Sequence, residues 1–189
     1  MPSVPAAVVV WLAALLAGKT PVFFNWTVGE ANLRHCIDLT AVSHIVSVSP
    51  LMDRLERQGM PLDVLPVEWL ALDKMASSFS RAEKVRGVIK SRMMKDVKHF
   101  PVPKTAAVLF TSGSESFPKA VPLTHENLLT NAVDIIRVLN LASDDTVLAM
   151  LPPFHSFGLM VGLVIPLATG IKAVFHANPT EPALLNGLI

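Results

Sequence analysis

Between Val108 and Lys119 the chain reads Val-Leu-Phe-Thr-Ser-Gly-Ser-Glu-Ser-Phe-Pro-Lys, an apolar stretch followed by hydroxyls, small residues and a closing lysine. Small residues let backbone N–H groups approach phosphate oxygens, hydroxyls add donors, and lysine adds positive charge, so this composition suits a polyphosphate. The segment is not the common P-loop pattern, because the second glycine before the lysine is missing and alanine follows it. Turns also favour serine, and a hydrophilic serine-rich connection would look the same. The residues alone leave both readings open. A second candidate, Leu151-Pro152-Pro153-Phe154-His155-Ser156-Phe157-Gly158-Leu159, sets a histidine between two phenylalanines. His155 can donate a hydrogen bond to a carboxylate or phosphate oxygen, with Phe154 and Phe157 shielding it from water. A histidine so placed also serves as an ordinary core or turn residue.

Other chemistries lack their residues. His35, His44, His99 and His176 have no shared ligand spacing, which argues against zinc, and His125 beside Thr124 reads as a first-turn helix residue. Ser112, Ser114 and Ser116 sit in no Gly-x-Ser-x-Gly elbow, which argues against a hydrolase. The single Cys36 excludes an internal disulfide and a cysteine-rich metal site, and points to a reducing, cytoplasmic setting.

The elements that must carry these loops alternate in type. Residues 5 to 17 read as a buried helix stopped by Gly18, and Pro21 to Phe24 as a short strand. Thr27 and Glu30 have capping-box spacing for a helix over about 28 to 39. His44 to Val48 follows as a strand, and Ser49-Pro50 as the cap and first position of a helix to about Arg57, ending near Gly59. Leu62 to Leu72 is apolar without a clear type. After Pro101 and Pro103, Ala106 to Phe110 reads as a strand leading into the Thr111–Lys119 loop. Thr124 caps a helix whose Leu128, Leu129, Ala132, Ile135, Ile136 and Leu139 share one face. Val147 to Met150 is a strand, Leu159 to Thr169 a helix ended by Gly170, and Ile171 to Phe175 a strand. Thr180-Glu181-Pro182 opens a further helix. This alternation predicts an α/β fold, a parallel sheet with helices on both faces. Approximate subregions are 1–60 (βα units), 61–104 (a basic helical insertion) and 105–189 (βα units carrying both candidate loops).

The insertion is distinct in charge. Ser80 and Glu83 have capping-box spacing, and Val85, Val88, Ile89, Met93 and Val97 follow at helical intervals. Residues 81–104 hold eight basic and two acidic side chains, a local charge of +6, against −5 for the other 165 residues. Such a helix can lie on anionic lipid or meet an acidic protein, or its apolar residues can pack on the sheet and leave a solvated basic face. The near-neutral total of +1 excludes a globally basic nucleic-acid binder, and 51% hydrophobic residues exclude a disordered tail. Pro5 to Gly18 falls short of the roughly 20 residues of a spanning helix, and prolines and His155 interrupt Val147 to Ile171. No basic residue precedes the first apolar run, so a secretory signal is not expected.

Taken together, the two loops resemble the adenylate-forming enzymes, which include acyl-CoA synthetases and luciferases. Their phosphate loop runs aromatic or apolar, Thr/Ser, Ser, Gly, Ser/Thr, Thr, Gly, any residue, Pro, Lys. Thr111, Ser112, Gly113, Ser114, Pro118 and Lys119 follow that order, with Glu115 for the usual threonine and Ser116 for the second glycine. Glu115 is similar to the synthetase half of bacterial bifunctional acylglycerophosphoethanolamine acyltransferase/acyl–acyl-carrier-protein synthetases. Phe154, His155, Ser156, Phe157 and Gly158 look like the family's Pro-x-Phe-His-x-Phe-Gly segment, which lines its acyl and adenylate pocket. The start of the chain, through Asn25-Trp26-Thr27, is similar more loosely.

The resemblance implies part of a large N-terminal domain from a ligase that uses ATP to form an acyl-adenylate. The acyl group would then pass to acyl carrier protein or CoA. The segments that hold Mg2+, ribose and the reacting carboxylate in this family do not occur here, so the chain is expected to be an inactive piece with its magnesium ligands elsewhere. The resemblance also implies an anionic inner leaflet as a second partner for Arg81 to Lys104, at the cytoplasmic face of the inner membrane. A module that keeps the fold but binds lipid or carrier protein without catalysis, its loop made incompetent by Ser116, is the alternative.

Overall fold

The computed structural model describes residues 1–93, 99–111 and 117–177. Helix α1 (Pro5–Leu16) starts with proline in its first turn, where a missing N–H costs nothing, and turns Ala7, Trp11 and Leu15 inward at helical spacing. Gly18 closes it at φ 71°, letting the Lys19 N–H reach the Ala14 carbonyl. Helix α2 (Glu30–Thr40) buries Leu33, Cys36 and Ile37, and burial pushes the Cys36 thiol up to about 11. The expected box of Thr27 and Glu30 does not form. Asn25 captures both the N–H and the hydroxyl of Thr27, and Gly29, at φ 82°, precedes the helix instead.

Strand β1 (His44–Ser47) runs into α3 (Ser49–Arg57), where Ser49 is already helical and its N–H donates to Asp73. The unassigned Leu62–Leu72 run resolves into a 3-10 turn (Leu62–Val64), β2 (Glu68–Ala71) and the start of α4 (Leu72–Ser78). Helix α5 (Arg81–Met93) forms behind its capping box. Glu83 accepts from the N–H and hydroxyl of Ser80, which hold its carboxyl below the usual range, and Ser80 accepts from the Glu83 N–H. Val85, Val88 and Ile89 of α5 do not pack on a sheet, while the Met93 side chain and Val97 lie outside the described residues. Val85, Val88 and Ile89 are 59%, 54% and 53% exposed, as are the basic residues around them.

Strands β3 (Thr105–Phe110) and β4 (Ala120–Thr124) pair antiparallel as a hairpin around the candidate phosphate loop. This departs from an all-parallel sheet. Pro122 within β4 hides that strand from propensity, because proline in a run argues for an edge. Thr124 then caps α6 (His125–Leu139) in a reciprocal box with Asn127. Strand β5 (Thr146–Ala149) leads to α7 (Ser156–Leu159), a π turn over Met160–Val164, α8 (Ile165–Thr169) and β6 (Lys172–Phe175). β1 pairs with β2, and β5 with β6, both parallel. Pro21–Phe24 contributes one parallel bridge, Val22 to Val108, rather than a strand. The helix expected to open at Thr180-Glu181-Pro182 lies outside the described residues.

Two cores result. The first joins Trp11 and Leu15 of α1 to Ala106, Ala107 and Leu109 of β3, to α6, and to Leu159–Ile165. Trp11 Nε1 donates to the Ala106 carbonyl at 2.9 Å, which satisfies the one polar atom of that ring in the interior. The second joins Leu33 and Ile37 of α2 to Leu51, Leu55, Met60, Leu62 and Leu65. Each buried leucine is worth about 1.5–3 kcal/mol relative to exposure. No described helix is long and apolar enough to cross a membrane.

Candidate functional site

The hairpin holds its loop by the ends. Thr111 N–H donates to the Lys119 carbonyl at 3.0 Å, and Lys119 N–H donates to Thr111 Oγ1 at 3.0 Å. Ser112, Gly113, Ser114, Glu115 and Ser116 lie outside the described residues, and with them the backbone conformation expected to matter at Ser116. Of the described members, Pro118 is buried while Thr111 and Lys119 are exposed, as hydrogen-bonding to a solvent-borne anion requires. From α2, His35 Nε2 meets the Pro118 carbonyl at 3.1 Å, and its ring stacks on Phe117 at 4.6 Å and 24°.

The second loop is shaped by Gly158. A Cβ there would lie 2.7 Å from the Leu151 carbonyl oxygen and closer still to that of Pro152, so the chain can fold back only through glycine. His155 N–H donates to the Pro152 carbonyl at 3.1 Å, and Leu159 N–H to the His155 carbonyl at 2.8 Å. Phe154 is buried and leans on the His155 ring at 4.4 Å. Phe157 is 61% exposed and His155 and Ser156 are exposed, so the expected aromatic shield comes from one side only.

One short segment touches the supports of both loops. Phe24 stacks on Phe110, the residue before Thr111, at 5.5 Å, and Trp26 meets Phe154 edge-on at 4.6 Å. Sequence reasoning missed this aromatic bridge and missed His35, because neither belongs to the motifs they support. Among the described residues, no group of three or more His, Cys, Asp or Glu side chains gathers as a metal would require, so no metal-dependent step is assigned to them.

The sequence pattern of the AMP-binding enzymes matches residues 1–189. The chain is 39% identical over 80 residues to the medium-chain fatty-acid–CoA ligase of Escherichia coli (strain K12), covering 42% of this chain and 14% of that protein. It is 30% identical over 105 residues to the medium-chain-fatty-acid–[acyl-carrier-protein] ligase JamA of Moorena producens (strain JHB), covering 56% and 16%. The fold superposes with a TM-score of 0.67 on the o-succinylbenzoate coenzyme A synthetase MenE of Bacillus subtilis in complex with ATP and magnesium, at 19% identity, over 96% of this chain and 44% of that one. The chain thus spans less than half the length of these relatives.

Proposed function

The chain belongs to the AMP-binding enzyme family, and on that premise we propose that it supplies the ATP-phosphate arm of a fatty-acid-activating acid–thiol ligase. In the complete protein a fatty-acid carboxylate attacks the α-phosphorus of ATP, releasing pyrophosphate and forming an acyl-adenylate. A thiol then takes the acyl group and AMP leaves. Magnesium, when bound, offsets phosphate charge, and its ligands are proposed to lie outside these 189 residues. Within this chain, the Thr111–Lys119 loop holds the departing phosphates and the Phe154–Gly158 loop faces the acyl-adenylate. The observation that carries this reading is the family's motif set on a hairpin whose ends are tied by Thr111 and Lys119.

The acceptor is proposed to be acyl carrier protein or CoA, the acceptors of the two ligases to which the chain is similar. Glu115 favours the branch linked to lysophospholipid acyltransferases, and the exposed basic face of α5 suits an anionic leaflet at the cytoplasmic side of the inner membrane. These 189 residues by themselves are proposed to be inactive.

The test is fatty-acid-dependent exchange of pyrophosphate into ATP by the complete protein, with and without Lys119→Ala. Loss of one charged contact should weaken ATP use by about 1.5–3 kcal/mol while fatty-acid binding stays as it was. An unchanged ATP dependence in the variant would remove the phosphate-loop assignment.

A further inference from the structure

Helix α2 turns Leu33, Cys36 and Ile37 into the second core, and this leaves His35 half-buried beside that stripe, facing the hairpin. Its Nε2 lies 3.1 Å from the Pro118 carbonyl, 83 positions away in sequence. A carbonyl oxygen can only accept, so Nε2 carries the proton and donates. The His35 ring also stacks on Phe117 at 4.6 Å.

The Pro118–Lys119 peptide unit is therefore held from both sides. Its C=O accepts from His35, and its N–H donates to Thr111 Oγ1 at 3.0 Å. A peptide unit is planar, so two opposed hydrogen bonds fix its orientation as one rigid plate. That plate sets the direction in which Lys119 leaves the backbone. Lysine has a flexible four-carbon stem, and the reach of its ammonium depends on where that stem starts. One anchor comes from the hairpin itself; the other comes from a helix rooted in the other core.

We propose that His35 is a positioning residue for Lys119, fixing the Pro118–Lys119 peptide plane so that the ammonium is aimed at a nucleoside triphosphate. This rests on the phosphate-loop reading above and adds to it a determinant from outside the loop. His35 touches no substrate and acts through the backbone it holds.

The experiment uses the complete protein, reading ATP binding by calorimetry and ATP and fatty-acid KM values by pyrophosphate exchange. His35→Ala should raise the ATP dissociation constant and KM about three- to tenfold, the scale of one neutral hydrogen bond, with fatty-acid KM unmoved. His35→Gln, which keeps an N–H donor, should recover part of the loss; His35→Phe, which keeps the ring and loses the donor, should not. In a Lys119→Ala background, His35→Ala should add nothing, because its effect passes through that lysine. Equal changes for both substrates, no recovery with glutamine, or additive losses in the double variant would overturn the inference. If Lys119→Ala weakens ATP binding and His35→Ala does not, the positioning role fails and the loop assignment stands. If Lys119→Ala itself has no effect, both fall together.

Discussion

At Gly158 the fold admits no side chain, since an added Cβ would lie 2.7 Å from the backbone oxygen of Leu151. Gly158→Ala should cost about 1–3 kcal/mol through overpacking, and a thermal melt checks it. A variant melting with the parent would mean that the Leu151–Pro152 turn yields freely. At this scale the sequence was legible at Gly158, a glycine after two aromatics whose missing side chain gives the chain room to turn. It was not legible for His35, because a hydrogen bond across 83 positions leaves no local spacing to read. Phe157 misled for a related reason. Its position between glycine and histidine says that it is near the site, but only the turn of α7 decides that it faces solvent.

Helices with an apolar face and a cap were readable as elements, and α1, α5 and α6 lie close to where their periodicity puts them. Short pieces were not. Pro21–Phe24 has strand composition but makes a single bridge, while β4, with proline inside it, is a strand that propensity argues against. Helix α5 raises the sharper question, since its apolar Val85, Val88 and Ile89 are exposed together with Arg81, Lys84, Arg86, Lys90 and Arg92. The proposed lipid contact would make binding of the complete protein to anionic vesicles fall with salt, each basic residue near such a surface being worth about 1 kcal/mol. Reversing Arg86, Lys90 and Lys95 to glutamate should abolish that binding in a vesicle sedimentation assay. Binding that survives the triple reversal, or no binding by the parent at low salt, leaves α5 as a solvated face.

For the molecule as a whole, the α/β class followed from alternating elements, but the division into two cores did not. Helix α1 comes first in the chain, yet it packs with β3 and α6 from the chain's second half rather than with α2. Between the cores opens a cleft of about 330 Å³ lined by Trp11, Phe24, Trp26, Ile45, Leu51 and Phe154. The hairpin also bears on the order in which these parts assemble. Phe110 meets Ala120 close by in the chain, whereas His44 must find Glu68 and Thr146 must find Lys172 across intervening helices. Hairpins close in about 1–10 μs, and distant pairings wait on the entropy of closing longer loops. The β3–β4 amides should therefore gain protection in pulse-labelled hydrogen exchange before those of β1 and β5, and simultaneous protection would contradict this order. On that route the arm bearing Lys119 is tied by Thr111 first and aimed by His35 last, so its final orientation is acquired only when the two halves of the chain have met.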